Sequence, residues 1–320
     1  MMSKNNLLRK LSNEFLFFLS IVIFAALVFN VNAGAQTKSK QKNNSQIIDQ
    51  EQKEIDKAKK LHVKVRTKHV AFYTNTGTLP SKRTLTEKII FDRNGNKKEQ
   101  IRYTSLGKIE VKYVYKYDSK GNVVSLENFD GSGNVVTRRV SKYDKNGNEI
   151  QRTVYDNEHH GANEAYFTYD NNDNLIETKN YSAKNELLAD ITLKYQNDLP
   201  VNAVTKDGKG NVKEEINSSY DSAGRLIMEK RISQGKGYDI NYKYDGNGNL
   251  IEMSNPQYHR FYDYDKNNNL IEDKMFMANG PRQFRVRFTY LPNGLRKEEI
   301  RYDNSDKPAF YGEYKYEYYK

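Results

Sequence analysis

Cysteine is absent from this 320-residue chain. Its absence excludes disulfides, zinc–thiolate sites, cysteine nucleophiles and a thiol-linked lipid anchor. Stability must therefore come from packing and strand pairing. Apart from one run near the N-terminus, no apolar segment is long enough to cross a bilayer as a helix, so we expect no transmembrane span once that run has been removed.

The N-terminal segment has the three parts of an export signal. Basic residues precede an apolar run over positions 15–29, and Ala33-Gly34-Ala35 provides small residues for cleavage. The pattern predicts a signal peptide over residues 1–35, with an uncleaved anchor as the alternative. Export would place the mature chain in the periplasm, at the cell surface or outside the cell.

The charge balance is moderately basic. The formal net charge of +11 falls to +9 when the predicted signal, with three basic residues and one acidic residue, is removed. For an exported protein this excess favours acidic polysaccharide or a membrane surface over nucleic acid as a partner. The alternative is a mixed surface without an electrostatic partner, since Lys and Glu alternate along most of the chain.

The chain divides by composition into two further regions. Residues 36–60 are polar and predict a linker that ends in a marginal helix over residues 46–60. All 25 tyrosines lie in the following region, residues 61–320. We expect this region to be a single β-repeat domain.

An aromatic-Asp-x-x-Gly-Asn unit recurs through the second region. Its aromatic residue lies at Phe91, Tyr117, Tyr143, Tyr169, Tyr195, Tyr220, Tyr244, Tyr264, Tyr290 and, in degenerate form, Tyr316. Seven of the nine gaps are within one residue of 26. A second marker follows most anchors by about twelve residues, at Tyr103, Phe129, Tyr155, Tyr181, Ile232, Phe276 and Tyr302. This period fits two strands and two turns better than a helical repeat.

Apolar and polar residues alternate between the turns. Val111, Tyr113 and Tyr115 alternate with positions 110, 112, 114 and 116, of which all but Val114 are charged, and this is the period of a strand with one packed face and one wet face. The turn residues have their own chemistry, since Asp can accept hydrogen bonds from nearby amides and Gly can adopt a left-handed conformation. We assign structural turn roles to Asp92, Gly95, Asp118, Gly121, Asp144, Gly147, Asp221, Gly224, Asp245 and Gly248.

The motifs YDGNGNLIE at 244–252, YDNNDNLIE at 169–177, YDKNNNLIE at 264–272 and YDSAGRLI at 220–227 resemble the YD repeats of the Rhs family. The resemblance covers about residues 85–320. It implies a long β-ribbon that coils, sometimes into a shell around a toxin, and a capacity to bind carbohydrate. The chain is far shorter than the large family members and ends inside the repeat, so we expect no enclosed cargo domain.

The predicted fold is all-β, with tandem antiparallel hairpins of about 26 residues in one long sheet. A flat sheet would leave a wide aromatic face in water. We therefore expect the sheet to twist and curl, or to form an open spiral, with its Tyr and Phe rows on the concave side.

Two groups of residues are candidate binding sites. The shortened 20-residue repeat contains Tyr258, His259, Arg260 and Tyr262, which together suit a sugar ring or an acidic group. The alternative is a shortened hairpin with an edge proline. Arg285 and Arg287 could form an anion-binding ladder with the following basic strand, which contains Arg296, Lys297 and Arg301. Cross-strand pairing with Glu298 and Glu299 is the alternative.

Metal and catalytic sites have weak support. A calcium loop would need Gly at its sixth position and Glu at its twelfth, but the loop that begins at Asp92 has Gly fourth and Tyr103 twelfth. His159 and His160 could bind a metal with Glu158, although a solvated loop also explains them. No nucleophile–base arrangement is evident. We therefore predict no metal, no cofactor and no enzymatic activity.

The leading hypothesis is a secreted, non-catalytic binding or scaffold protein of the cell envelope or exterior. Its partner would be carbohydrate, acidic polysaccharide or an envelope protein. The alternative is a partial shell, chaperone or immunity-type partner in a polymorphic toxin system. An enzyme acting on glycans is a third hypothesis, disfavoured because no catalytic carboxylate pair can be singled out among the many turn aspartates.

Overall fold

The computed structural model describes residues 49–156 and 162–320. The predicted signal peptide and the residues Glu158, His159 and His160 lie outside the described residues. A helix, α1, spans Asp49–Lys60 and is followed by twenty strands. The strands are β1 Val63–Phe72, β2 Thr84–Phe91, β3 Lys97–Tyr103, β4 Ile109–Tyr117, β5 Val123–Asp130, β6 Val135–Tyr143, β7 Glu149–Asp156, β8 Ala162–Tyr169, β9 Leu175–Tyr181, β10 Leu187–Gln196, β11 Leu199–Asp207, β12 Val212–Tyr220, β13 Leu226–Ser233, β14 Lys236–Tyr244, β15 Leu250–Ser254, β16 Tyr258–Tyr264, β17 Leu270–Met277, β18 Arg282–Tyr290, β19 Arg296–Tyr302 and β20 Pro308–Tyr318.

The strands form one closed antiparallel β-barrel. Each strand pairs with the next along the chain, and β20 pairs with β1 from Val63 opposite Tyr318 to Phe72 opposite Phe310. The prediction of an open twisted sheet or spiral is therefore wrong, although the fold is all-β and built from hairpins as expected. Closure removes the two rows of unpaired backbone N–H and C=O groups that an open sheet would expose at its edges.

The alternation of residues separates an inner and an outer face. The inner face carries the anchor tyrosines and most of the buried apolar side chains, and α1 packs on it at one end of the barrel. Three apolar clusters lie on this face. The first contains Ala165, Phe167, Leu175, Ile191, Leu193, Ala203 and Ile216; the second, Ala58, Val63, Ile89, Phe91 and Leu295; the third, Ile240, Leu250, Met253, Tyr262 and Leu270.

The outer face carries charged pairs between neighbouring strands. Lys112 lies 3.4 Å from Glu99, and Lys243 lies 2.8 Å from Glu252. Such pairs contribute little stability individually, but they mark the outer face as a surface suited to water. No helix among residues 49–156 and 162–320 is long and apolar enough to cross a bilayer.

Each anchor tyrosine is tied to the preceding hairpin. Its hydroxyl donates a hydrogen bond of 2.7 to 3.0 Å to the backbone carbonyl of the first or second residue of the neighbouring strand. The nine bonds join Tyr117 to Lys97, Tyr143 to Val123, Tyr169 to Glu149, Tyr195 to Leu175, Tyr220 to Pro200, Tyr244 to Leu226, Tyr264 to Leu250, Tyr290 to Leu270 and Tyr316 to Arg296. We call this set the tyrosine ladder.

The turns next to the ladder explain the Asp and Gly of the motif. The Oδ1 atom of Asp118 accepts hydrogen bonds of 2.9 Å from the backbone N–H groups of Lys120 and Asn122. Gly121 has a φ of +88°, a left-handed conformation that costs glycine little. Asp173 takes the equivalent place in a later turn, at a φ of +63°, and its carboxylate accepts a bond from Asn148 of the adjacent turn.

Candidate functional site: the notch at the hairpin β15–β16

The shortened repeat produces a step in the rim of the barrel. Strand β15 has five residues, whereas the neighbouring strand β14 has nine. The turn between β15 and β16 is closed by Asn255, whose Oδ1 accepts bonds from the N–H groups of Gln257 and Tyr258 at 2.8 and 2.9 Å. Because this hairpin stops short, the hairpin β13–β14 beside it forms the wall of a notch.

The notch is an open cavity of about 780 Å³. Its lining includes both hydrogen-bond donors and acceptors, and the imidazole of His259 adds an exposed aromatic ring. The lining residues are Lys230, Ile232, Gly235, Gly237, Tyr238, Asp239, Asn241, Ser254, Asn255, Pro256 and His259. The volume is within the range of small-molecule sites, and the polar lining suits a hydrophilic ligand.

His259 is the one residue of the predicted Tyr258, His259, Arg260 and Tyr262 site that lines the notch among the described residues. Its Nδ1 atom lies 3.6 Å from Oε1 of Glu252, and its ring stacks on Phe261 with centroids 6.3 Å apart. The side chain is 42% exposed. Its imidazole is therefore oriented by two neighbours and still accessible to a ligand.

The other three predicted residues face the interior. Tyr258, Arg260 and Tyr262 alternate with His259 along β16, so the strand period places them on the opposite face. Arg260 binds Asp273 at 2.8 and 2.6 Å and lies 5.2 Å from the ring centres of Tyr262 and Phe284. The structure therefore divides the predicted site between the two faces of the barrel.

Arg285 and Arg287 share the outer face of β18, as the sequence predicts, but their charges are compensated. Both Nε atoms donate to Oε1 of Glu272, at 2.8 and 2.6 Å, and Arg285 also binds Asp306 at 2.6 Å. Burial alone would raise the pKa of Glu272, but hydrogen bonds from these arginines and Lys274 lower the pKa to about 2. This side of the barrel is thus a salt-bridge network.

The remaining basic residues of the proposed ladder do not share one face. A register shift on β19 near Arg296 brings the side chains of Arg296 and Arg301 to the inner face. Lys297 lies 3.7 Å from Glu298 instead. The sequence period alone could not show this, because the extra residue of a bulge reverses the alternation that follows it.

Sequence reasoning missed Lys230, Asp239 and Asn241, which form one wall of the notch. They lie on β13 and β14, outside the irregular repeat. The sequence did contain a signal for these residues, because they occupy outward positions on the hairpin that precedes the shortened one. The register that brings them beside Ser254 and His259 is set by strand pairing and is not a property of the local motif.

In the part of the chain that the structure describes, no three His, Asp or Glu side chains converge in a way that could hold a metal ion. The turn aspartates use their carboxylate oxygens on backbone and asparagine N–H groups. Asp92, for example, accepts bonds from the backbone and the side chain of Asn96. The Asp-Gly-Asn motif therefore stabilises the turn at this position.

No protein-family model and no curated protein matches the chain. Among solved structures it is similar to a chain of the Photorhabdus luminescens Tc holotoxin pore, at 13% identity over 72% of this chain and 18% of that chain, with a TM-score of 0.30. A porin-like protein from Bacteroides uniformis is 10% identical over 80% of this chain and 98% of its own, with a TM-score of 0.35. A second porin-like protein, from Bacteroides vulgatus, is 14% identical over 66% of this chain and 95% of its own, with a TM-score of 0.33.

The chain spans less than a fifth of the Tc toxin chains that it matches. With TM-scores of 0.35 or lower, these structural likenesses decide nothing about function.

Proposed function

We propose that the protein is an exported, non-catalytic binding protein that takes carbohydrate in the notch at β15–β16. The observation that carries the proposal is the 780 Å³ cavity with its polar lining and the exposed imidazole ring of His259. Sugars combine hydroxyl groups, which need alternating donors and acceptors, with apolar ring faces that pack on aromatic rings. The lining provides both kinds of contact.

The chemistry of the wall supports a sugar over an apolar ligand. Lys230 donates hydrogen bonds, Asp239 accepts them and Asn241 does both, and all three side chains are exposed to a ligand. The net charge of the lining is close to neutral when His259 is neutral. A neutral or weakly acidic glycan therefore suits the notch better than a densely charged polymer.

The same lining supports binding without hydrolysis. Glycosidases commonly use two carboxyl groups across the scissile bond. Asp239 supplies the one carboxylate among the described residues that line the notch. Export is supported by the N-terminal signal pattern.

The experiment is a glycan-binding panel on the mature chain and on two variants, Lys230→Ala and Asn241→Ala. Removing the neutral hydrogen bond of Asn241 costs about 0.5 to 1.5 kcal/mol, so that variant should bind about 2- to 12-fold more weakly. The charged donor of Lys230 contributes about 1.5 to 3 kcal/mol, so its removal should weaken binding by about 12-fold or more. Lys243→Ala is the matched control, because it removes an exposed lysine from the same outer face but outside the notch.

Equal affinity of the two notch variants and the wild-type chain would remove the proposed site. Release of sugar by the purified chain would overturn the non-catalytic part of the proposal. The hypothesis of a toxin-associated partner stays a prediction from the sequence.

A further inference from the structure

A group of basic side chains lies on the inner face of β1, β3 and β19, and α1 packs at one end of it. Six cations point inward in this sector, against two carboxylates, Glu87 and Glu299. We call the group the basic sector; its cations are Arg66, Lys68, Lys97, Arg102, Arg296 and Arg301.

The two inward carboxylates of the sheet, Glu299 and Glu87, already bind other side chains. Glu299 binds Lys68 at 2.9 Å and Arg301 at 3.1 Å, and it also accepts a bond from the hydroxyl of Tyr314. Glu87 binds Arg66 at 3.0 Å. The sheet therefore provides no separate carboxylate, among the residues described, for Lys97 or Arg296.

Helix α1 supplies the missing negative charges. Glu51 binds Lys97 at 3.1 Å, and Oε2 of Glu54 accepts a hydrogen bond of 3.4 Å from the backbone N–H of Arg296. The helix thus brings two carboxylates to a surface that has an excess of positive charge.

Two guanidinium donors of the sector are buried without a hydrogen-bond partner among the described residues. They are the Nε groups of Arg66 and Arg296. Arg66 is only 9% exposed, and both guanidinium groups lie 5.9 Å from the ring centre of Tyr314. Buried donors of this kind are costly unless an acceptor reaches them, which points to a ligand with negatively charged oxygens.

A ligand could replace the carboxylate contacts of the helix, whereas its apolar contacts and the bonds of Lys57 are independent of the ligand. The side chain of Glu51 is 61% exposed, and such ion pairs typically contribute no more than about 1 kcal/mol. Ala58 is the fully buried apolar residue of the helix, and Ile55 packs beside it. Lys57 adds bonds to Asn269 and Gly294 at the barrel end.

We propose that the basic sector is a binding site for a ligand with two or more carboxylates, and that α1 occupies it through Glu51 and Glu54 when the ligand is absent. This site is separate from the notch, which lies at the opposite end of the strands. The ligand would compete with the carboxylates of the helix for Lys97 and the two arginines.

Calorimetric titration with citrate at low ionic strength tests the proposal on the mature chain. Wild-type protein should bind citrate weakly, and the double variant Glu51→Gln/Glu54→Gln should bind about tenfold more tightly, because two competing carboxylates are gone. Asp56→Asn is the matched control, since it neutralises an exposed carboxylate of the same helix that binds Gln52 and should leave the affinity unchanged.

Arg296→Gln in the double-variant background should abolish the gain, with a thermal melt to verify folding. No citrate binding in either protein, equal affinities, or the same gain in Asp56→Asn would overturn the proposal. Hexagalacturonate and hexaglutamate, compared in the double variant, then distinguish an acidic sugar chain from an acidic peptide as the source of the carboxylates. Tighter binding of either one than of citrate supports the proposal, and binding of neither overturns it.

Discussion

The hydroxyl of Tyr319 donates a 2.6 Å hydrogen bond to the backbone carbonyl of Phe91, which joins the end of the chain to its first repeat. The backbone N–H of Tyr319 also binds the carbonyl of His62 at 2.9 Å. These bonds lie beside the pairing of β20 with β1. A tyrosine hydroxyl that is not part of the tyrosine ladder therefore also bonds across the seam of the barrel.

The ladder should contribute directly to stability. Tyr195→Phe removes the hydroxyl that donates to the carbonyl of Leu175 at 2.9 Å and should lower the free energy of unfolding by about 1 kcal/mol. Urea denaturation measures the change. Tyr155→Phe is the control, because Tyr155 lies on the outer face and is 44% exposed. Equal effects of the two substitutions would contradict a structural role for the ladder.

The first anchor is phenylalanine for a physical reason. Phe91 is 1% exposed among Ala58, Ile89 and Leu295, and the carbonyl of His62 at the start of the neighbouring strand is already bound by Tyr319. Phe91→Tyr would bury a hydroxyl without an acceptor and should destabilise the fold by about 1 to 3 kcal/mol. Phe129→Tyr, at a position where other repeats have tyrosine, should change stability much less. The difference between their thermal unfolding midpoints tests this.

The buried tyrosines predict a loss of stability at alkaline pH. Burial raises the pKa of Tyr244 and of Tyr290 to about 12 in the folded chain, against about 10 when unfolded. Their contribution to stability is therefore complete below pH 10 and is lost as pH rises from about 10 towards 12. Tyrosinate absorbance should rise together with loss of the β-sheet signal in circular dichroism. Ordinary titration of all tyrosines near pH 10 in an intact fold would contradict the prediction.

The carboxylate of Glu299 should make the fold lose stability as the pH falls into the acidic range. Burial alone would raise its pKa, but Lys68, Arg301 and the hydroxyl of Tyr314 lower the pKa to about 2. The stability that this carboxylate provides is therefore present above about pH 4.3, its unfolded pKa, and is lost as pH falls towards 2. Glu299→Gln should cost about 2 kcal/mol at pH 7 and little at pH 2. Glu110→Gln, an exposed outer-face substitution, is the control for urea denaturation at both pH values.

The repeat motifs predict the local structure well. The alternation around Tyr113 and the Asp and Gly of the motif at Asp118 and Gly121 are sufficient to define strands and turns, because hairpin geometry depends on neighbouring residues. Closure could not be derived in the same way. Strand β1 has no tyrosine-aspartate motif, and its pairing with β20 joins segments about 250 residues apart.

Some features of the candidate site follow from the local sequence, and others depend on how distant strands pair. The alternation of β16 already separates His259 from Tyr258 and Arg260, so the sequence could have excluded a single site made from all three. Glu272, the partner of Arg285 and Arg287, lies on the preceding strand β17 and becomes evident only from the register. Lys230 enters the notch for the same reason.

Closure of the barrel is the central claim, and an engineered disulfide between β1 and β20 tests it most directly. The chain has no cysteine of its own, and Thr67 lies directly opposite Lys315 on the outer face. Cα atoms of opposite residues in an antiparallel pair are about 4.5 to 5.5 Å apart, which is close enough for a disulfide. Thr67→Cys/Lys315→Cys should therefore form an intrachain disulfide on mild oxidation, whereas Thr67→Cys/Lys194→Cys, with the second position on the distant strand β10, should not. Failure of the first pair to form the bond in folded protein would contradict the closed barrel.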